Sequence, residues 1–352
     1  VGVFAIFSIS PWLADMAPAT VVRPVAFCTV LLLIGLLTFV IFSFMDRKLD
    51  KQLGLDSRGG GGSEEEFKVS DLKYILSSKV FWIIAFLCVL YYSAIFPFQK
   101  YAVNMLQCNL SFTDVDPNSF WGSDAVSAWQ YIVMLIVAMA SFASNFGKNK
   151  GLRIGMLLIA IICLVLYCWM GFMRQSAAAI FAVFPLLAVG ITPILGKYVD
   201  YKGKAASMLV LGALLLIACH LTFAFILPLF KDNAVGGVIV AYLTILVLGA
   251  SFSLVPASLW PSVPKLVDSK IIGSAYALIF WIQNIGLCLF PMLFGFALKY
   301  FNAGRTEGMP YDYTRTMLIF VACGVLAMLL GLWLKAEDRK KKYGLELPNI
   351  KK

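Results

Sequence analysis

Charge is what this 352-residue sequence has least of. Asp, Glu, Lys and Arg make up 14% of it, against 61% hydrophobic residues. Soluble domains carry about a quarter charged residues, so a water-soluble fold is excluded. Histidine is scarcer still: His220 is the single imidazole of the chain. That excludes multi-histidine metal sites and leaves little for a catalytic triad, so no metal, no other cofactor and no enzymatic activity is expected. Eight cysteines are present, seven of them (Cys28, Cys88, Cys163, Cys168, Cys219, Cys288 and Cys323) inside apolar runs. Cys108 alone falls in an expected loop, so no disulfide framework is implied. The opening "VGVFAIFSIS" has neither a methionine nor a charged n-region, so it is not a signal peptide. It reads as the second half of a spanning helix in a chain that is a fragment.

What the sequence has in quantity is apolar runs of the length, about 18 residues or more, that crosses a bilayer. Hydropathy places spans at 1–13 (partial), 24–44, 80–98, 125–146, 153–173, 178–196, 205–229, 235–258, 271–298 and 313–334. The expectation is an all-α polytopic membrane protein. Residues 46–79 form a charged, Gly/Ser-rich linker with a helix-like end from Ser70 onward. Gly59 to Ser63 has the composition of a flexible linker. Alternating the spans with that linker inside puts 22 of the 29 Lys and Arg on the inner side. Only Arg23, Lys100, Arg174, Lys231, Lys299, Arg305 and Arg315 lie outside. This is the positive-inside bias. The net charge of +10 therefore reports topology and not nucleic-acid binding, and the basic tail 336–352 reads as a cytoplasmic stop-transfer anchor. Carboxylates respect the same frame. Asp46, Asp50, Asp200 and Asp268 fall at or beyond inner ends, and Asp114, Asp116, Asp124, Asp232 and Asp312 outside, with none in mid-span.

One polar stretch breaks the pattern. "GITPILGKYVDYKGKAASMLV" contains Gly196-x-x-x-Asp200-x-x-Gly203-Lys204 between two spans on the basic side. Glycines suit a sharp reversal and close helix approach. The aspartate suits the positive end of a helix dipole, and the lysines suit an inner loop. The stretch resembles the G-x-x-x-D-x-x-G-[RK] loop signature of the major facilitator superfamily, which joins spans two and three and recurs in degraded form between eight and nine. Further on, "SLVPASLWPSVPKLV" and "IGSAYALIFWIQNIGLCL" are similar to the tenth and eleventh helices of the superfamily's lysosomal dipeptide transporter branch and its bacterial relatives. The matching residues are Leu259, Trp260, Pro261, Val263, Gly273, Ala275, Tyr276, Ile282, Gln283, Asn284, Gly286 and Leu287; "YYSAIFPF" from Tyr91 fits as well.

The resemblance implies the fold of that superfamily: a C-terminal half of six helices (80–335) and, in residues 1–45, helix six and part of helix five. Residues 107–173 do not fit, and read as a long outer loop with an inserted pair of spans. It also implies a secondary transporter working by alternating access between repeat halves, with its substrate site near the midplane. Dipeptides moving by uniport come first. Another small organic solute, or a non-transporting receptor or scaffold, are the alternatives. The remaining partners expected are the lipid bilayer and a homodimer partner or accessory subunit. The membrane would be the bacterial cytoplasmic one, or the lysosomal one if the source is eukaryotic.

Candidate pathway residues follow from polarity at depth. Gln283 and Asn284 stand in mid-span, where an unpaired amide costs about 2–7 kcal/mol. They face a pathway or tie helices together, and as neighbours about 100° apart only one faces any given side. Tyr91 and Tyr92 are subject to the same restriction. His220 is a proton carrier or a structural hydrogen-bonding group. Trp260 and Tyr276 belong to an inner gate or to the interfacial aromatic belt. Asn109-Leu110-Ser111 fits a glycosylation sequon. Because this half offers a zwitterionic peptide amides and phenols but no buried charge, charged partners are expected in the other half.

Overall fold

The computed structural model describes residues 13–14, 21–53, 69–113, 115–116, 118–146, 149–306 and 308–350; the expected partial helix 1–13 lies almost wholly outside them, as does the glycine run of the linker. The architecture is all-α. Among the described residues, α1 spans Val22–Leu53, α2 Val69–Leu76, α3 Lys79–Leu110, α4 Asp124–Phe146 and α5 Lys150–Met173. They are followed by α6 Ala177–Lys202, α7 Ala205–Leu221, α8 Ala234–Leu266, α9 Ile272–Phe301 and α10 Thr314–Lys341. All but α2 contain a stretch long and apolar enough to cross a membrane. The chain is a multi-pass membrane protein.

Local chemistry sets the helix starts. Ser78 caps α3 by accepting from Phe81 N (3.4 Å), Ser176 caps α6 through Ala179 N (3.2 Å), and Asn233 caps α8 through Gly236 N (3.0 Å). Prolines 97, 185, 193, 256, 261, 264 and 291 sit inside helices, which a bundle tolerates because neighbours re-satisfy the freed carbonyls. Near Pro291, Tyr101 Oη donates to Pro291 O at 3.1 Å and ties α3 to α9. After α7 the backbone passes through a π turn, Thr222–Ile226, and a 3-10 turn, Leu227–Phe230, that carries Pro228.

Helix α3 is the hub. It packs on α9 and α10 and touches α8 and α6, while α7 lies between α8 and α10, and α6 lies against α8. The pair α4 and α5 pack on each other and reach the rest chiefly through α6. Their outer end is fixed by Arg174, which donates to Gln130 Oε1 at 2.9 Å; partial burial lowers the guanidinium's pKa. Among the described residues of α1 only Pro24 is buried.

Polar contacts join helix ends to one another. Lys79 Nζ meets Glu337 Oε1 at 2.7 Å, joining the inner ends of α3 and α10. Tyr313 Oη donates to Asn104 Oδ1 at 2.6 Å at the opposite end. Three sequence expectations are corrected. The span expected to stop at residue 98 continues through Pro97 to Leu110, so Cys108 is helical and not in a loop. Asn109 of the sequon is consequently buried, with its amide donating to Met105 O at 2.8 Å, and presents no acceptor for a glycan. The expected loop 196–204 is helical as far as Lys202, because α6 carries its hydrogen bonding past the last apolar residue.

Candidate functional site

The helical period puts residues four apart on one face, and three helices use it together. Within the stretch 91–99 of α3, Tyr92 and Phe96 are the two residues not buried. Within 251–260 of α8, they are Phe252, Pro256 and Trp260. On α9 the same row is Tyr276, Phe280 and Asn284, with Phe280 and Asn284 exposed.

These rows meet as one aromatic wall. Trp260 stacks on Phe280 (ring centroids 4.7 Å, interplanar angle 23°) and contacts Tyr92 (6.2 Å) and Tyr276 (5.9 Å). Tyr92 stacks on Phe96 at 5.4 Å and 9°, and Phe96 meets Phe252 edge-on at 5.9 Å. The polar tips are used to fix the rings. Trp260 Nε1 donates to Tyr92 Oη at 3.1 Å, and Tyr276 Oη donates to Trp260 O at 2.8 Å. Asn284 supplies the one mid-span amide of this surface. Its Nδ2 donates to Phe280 O at 2.8 Å within the helix, leaving Oδ1 directed away from that bond. A carbonyl oxygen of this kind facing hydrocarbon would cost several kcal/mol, roughly 2–7. The wall is therefore a surface to be covered by protein, water or a solute, and not by acyl chains.

The other expected pathway residues are turned inward. Gln283 is buried between α9 and α3, where its Oε1 accepts from Cys88 Sγ at 3.2 Å. Tyr91 is fully buried and donates to Leu209 O, tying α3 to α7. His220 is fully buried on α7, enclosed by the rings of Phe98 (5.1 Å) and Phe320 (5.2 Å). The structure thus brings Tyr92, Trp260, Tyr276 and Asn284 together, joins helices through Tyr91 and Gln283, and packs His220 among rings, its side-chain nitrogens without a hydrogen bond within the described residues. Phe96, Phe252 and Phe280 belong to the wall and were not singled out by polarity, since they are apolar; their signal is the four-residue spacing alone.

The inner motif is assembled differently from the expectation. Asp200 does not sit at a helix N-terminus. It lies in the last turn of α6, where its carbonyl accepts from Asn349 N and Ile350 N (both 3.0 Å) and its Oδ1 accepts from Asn349 Nδ2 at 2.9 Å. The anion at the positive end of α7 is Glu346, which arrives from the tail. Its carboxylate accepts from Ser207 N at 2.8 Å and from Ser207 Oγ at 2.9–3.0 Å, and Lys335 Nζ donates to the same Oγ at 2.7 Å. Glu346 O and Leu345 O accept from Lys204 N and Ala205 N, both at 3.1 Å. Lys265 Nζ donates to Gly344 O (3.0 Å) and Leu347 O (2.9 Å), while Leu345, wholly buried, donates to Asp338 Oδ1 at 3.1 Å. Residues 343–350 are therefore a strap across the inner ends of α6, α7, α8 and α10, not a free anchor. Gly203 bends the chain at φ +75° directly beneath it, Lys204 follows in the left-handed region, and Gly196 stands in open space within α6. Glu346→Gln keeps an oxygen on Ser207 but removes the charge from the dipole. It is expected to cost about 1 kcal/mol of stability and to speed protease cleavage within the strap, measured by limited proteolysis in detergent; Asp200→Asn should do less, since an asparagine oxygen still accepts from Asn349.

A helical bundle with a polar-tipped aromatic wall and a strapped end is an all-α, multi-pass membrane protein, consistent with the fold of the major facilitators. The comparisons agree. The chain is similar to a protein of Danio rerio named lysosomal dipeptide transporter MFSD1, 24% identical over 315 residues, which is 90% of this chain and 50% of that protein. The Gallus gallus protein of that name is 23% identical over 84% of this chain and 48% of its own length. The one from Bos taurus is 30% identical over 45% of this chain and 30% of its own. The chain thus spans about half the length of the curated relatives it matches along most of its course, and its likeness is to a major facilitator transporter of that branch. No family model matches, and no solved structure matches.

Proposed function

We propose that the protein is a secondary transporter that carries small peptides, dipeptides first, by uniport through alternating access. The aromatic wall of α3, α8 and α9 is its contribution to the substrate pathway, with Tyr92, Trp260, Tyr276 and Asn284 meeting the solute. The observation that carries this is the mid-span amide of Asn284 in line with the fixed rings, on a surface that cannot be left to lipid. The names of the relatives suggest the substrate class. Uniport accords with spans that carry no carboxylate at depth, since coupling to protons commonly uses one. The relatives' name also makes the lysosomal membrane the natural location if the source is eukaryotic.

The test is uptake of a labelled peptide panel by the full-length protein in proteoliposomes. Entry faster than in empty vesicles, driven by the peptide gradient alone and unaltered by a proton ionophore, is expected. Uptake of another solute class but no peptide would leave a transporter of different substrate, and no uptake of any solute would favour a receptor or scaffold.

A further inference from the structure

We infer that the cleft between α4, α5 and α6 is a lipid site, which holds one acyl chain of an anionic phospholipid while the phosphate meets Arg153 and Lys197. The site is separate from the aromatic wall, and its occupancy does not depend on what the protein carries.

The cleft follows from how the pair α4 and α5 is attached. These helices pack on each other and meet the bundle chiefly through α6. Small residues at that seam, Ser141 and Ser144 on α4, Ala160 on α5 and Gly190 on α6, leave a cavity of about 190 Å³. Ser144 Oγ is spent on Ser141 O at 2.7 Å, and apart from the two serines and Gly190 the lining is aliphatic. Leu157, Ile161 and Ile194 are exposed at its rim, so a chain can enter from the bilayer.

Size selects the occupant. Solute pockets run to about 300–1,000 Å³, and a helix with its side chains is about 10 Å across; neither fits this space. The cleft follows α5 from Leu157 to Leu164, about 10 Å at a rise of about 1.5 Å per residue. That depth stays within one leaflet of a hydrocarbon core about 30 Å thick. A methylene chain fills an aliphatic space of this kind.

Charge selects the headgroup. On α5 the row Leu164, Ile161 and Leu157 continues one turn on to Arg153, and on α6 the row Gly190 and Ile194 continues to Lys197. Both side chains are exposed, as is that of Lys150 at the start of α5. Between Asp124 and Asp200 the sequence has no carboxylate, and Asp200 itself accepts from Asn349 of the strap. The three helices therefore offer cations at the mouth of the cleft and no anion of their own. Such a cluster draws an anionic headgroup, each basic group contributing about fivefold in affinity.

The experiment is lipid retention by the full-length protein in detergent, read by native mass spectrometry after adding dioleoyl phosphatidylglycerol or dioleoyl phosphatidylcholine. The two lipids share their chains and differ in net headgroup charge. The unmodified protein is expected to retain phosphatidylglycerol at concentrations roughly twentyfold below those needed for phosphatidylcholine, about fivefold for each of two basic contacts. Arg153→Gln/Lys197→Gln should abolish that difference. Lys340→Gln/Lys341→Gln, which removes two exposed cations from the end of α10, should leave it unchanged. Gly190→Leu tests the cleft itself. A Cβ there makes ordinary contact with Ser141 at 3.5 Å, and the rest of the leucine occupies the cavity, so retention of phosphatidylglycerol should fall about tenfold. Ser144→Leu fills the cleft from α4 and serves if the first variant does not fold. Equal retention of the two lipids by the unmodified protein overturns the inference, as does equal loss in the two charge variants. Undiminished retention in a folded, filled variant overturns it too. Retention of neither lipid means that protein closes the cleft, and the inference fails.

Discussion

Gly203→Val is expected to release the strap and lower the amount of folded protein, the largest single-residue effect on the inner side. Two costs combine. The backbone there has φ +75° and ψ −138°, a region essentially reserved for glycine, where a side chain stores about 1–3 kcal/mol of strain. A Cβ would also run into the backbone of the strap, meeting Glu346 O, Leu347 C at 2.6 Å and Pro348 N at 2.8 Å. Backbone cannot rotate aside as a side chain can, so residues 345–348 must lift, and the contacts of Glu346 with Ser207 and of Lys265 with Gly344 and Leu347 are lost with them. Thermal unfolding in detergent should shift down by several degrees, and protease should cut within 343–350 in the folded protein. Gly196→Val is the control from the same motif: nothing lies within 4 Å of a Cβ there and the residue is helical, so stability should change by only a few tenths of a kcal/mol. Equal behaviour of the two variants would mean that the strap does not rest on Gly203.

The contrast between these glycines shows what could be read from the sequence. Length and hydropathy located the spans, because both follow from local composition against a fixed bilayer thickness, and the basic residues give the expected orientation. The restriction that neighbours cannot share a face was also legible, but not its outcome. Tyr92 and not Tyr91, Asn284 and not Gln283, are the ones left unburied, and that choice is made by α7, α8 and α3, helices distant in sequence. Asp200 was assigned to a dipole because its spacing to Gly203 and Lys204 suited one. The actual anion, Glu346, stands 139 residues beyond Ser207, in a tail whose run of lysines reads as solvated. A cap supplied from so far along the chain leaves no periodic signature. The aromatic rows did leave one. Phe252, Pro256 and Trp260, and Tyr276, Phe280 and Asn284, are spaced by four, yet in a sequence this apolar such spacing is everywhere, and only burial separates the rows that matter.

Gly286→Leu is expected to prevent α9 from seating on α3, with little or no monodisperse folded protein recovered from detergent extracts. In lipid the helices gain nothing from hydrophobic burial against each other, so close packing through small residues decides whether they associate. Gly286 is buried at that contact, and a Cβ there would meet Ser93 Oγ and Val89 Cγ1, each at 2.7 Å. The two obstacles differ. Ser93 carries a short side chain that can turn to another rotamer at small cost. Val89 is β-branched and held to one rotamer in a helix, and its backbone lies on the central helix of the bundle, which cannot shift without disturbing α10 and α8. Even Gly286→Ala should therefore cost about 1–3 kcal/mol, the range for overpacking, and leucine more. The source of the clash fixes its remedy. Val89→Ala removes the atom in the way, so the double variant Gly286→Ala/Val89→Ala should recover most of the lost thermal stability, whereas Ser93→Gly with Gly286→Ala should recover little. The same seat carries Gln283 against Cys88 and, on the next turns of α9, Phe280 and Asn284 against the wall. A Gly286→Ala protein that does fold should hold that row slightly displaced from Trp260. If Gly286→Leu folds and stacks normally, with thermal unfolding unchanged, the approach of α9 to α3 is not what positions the aromatic wall.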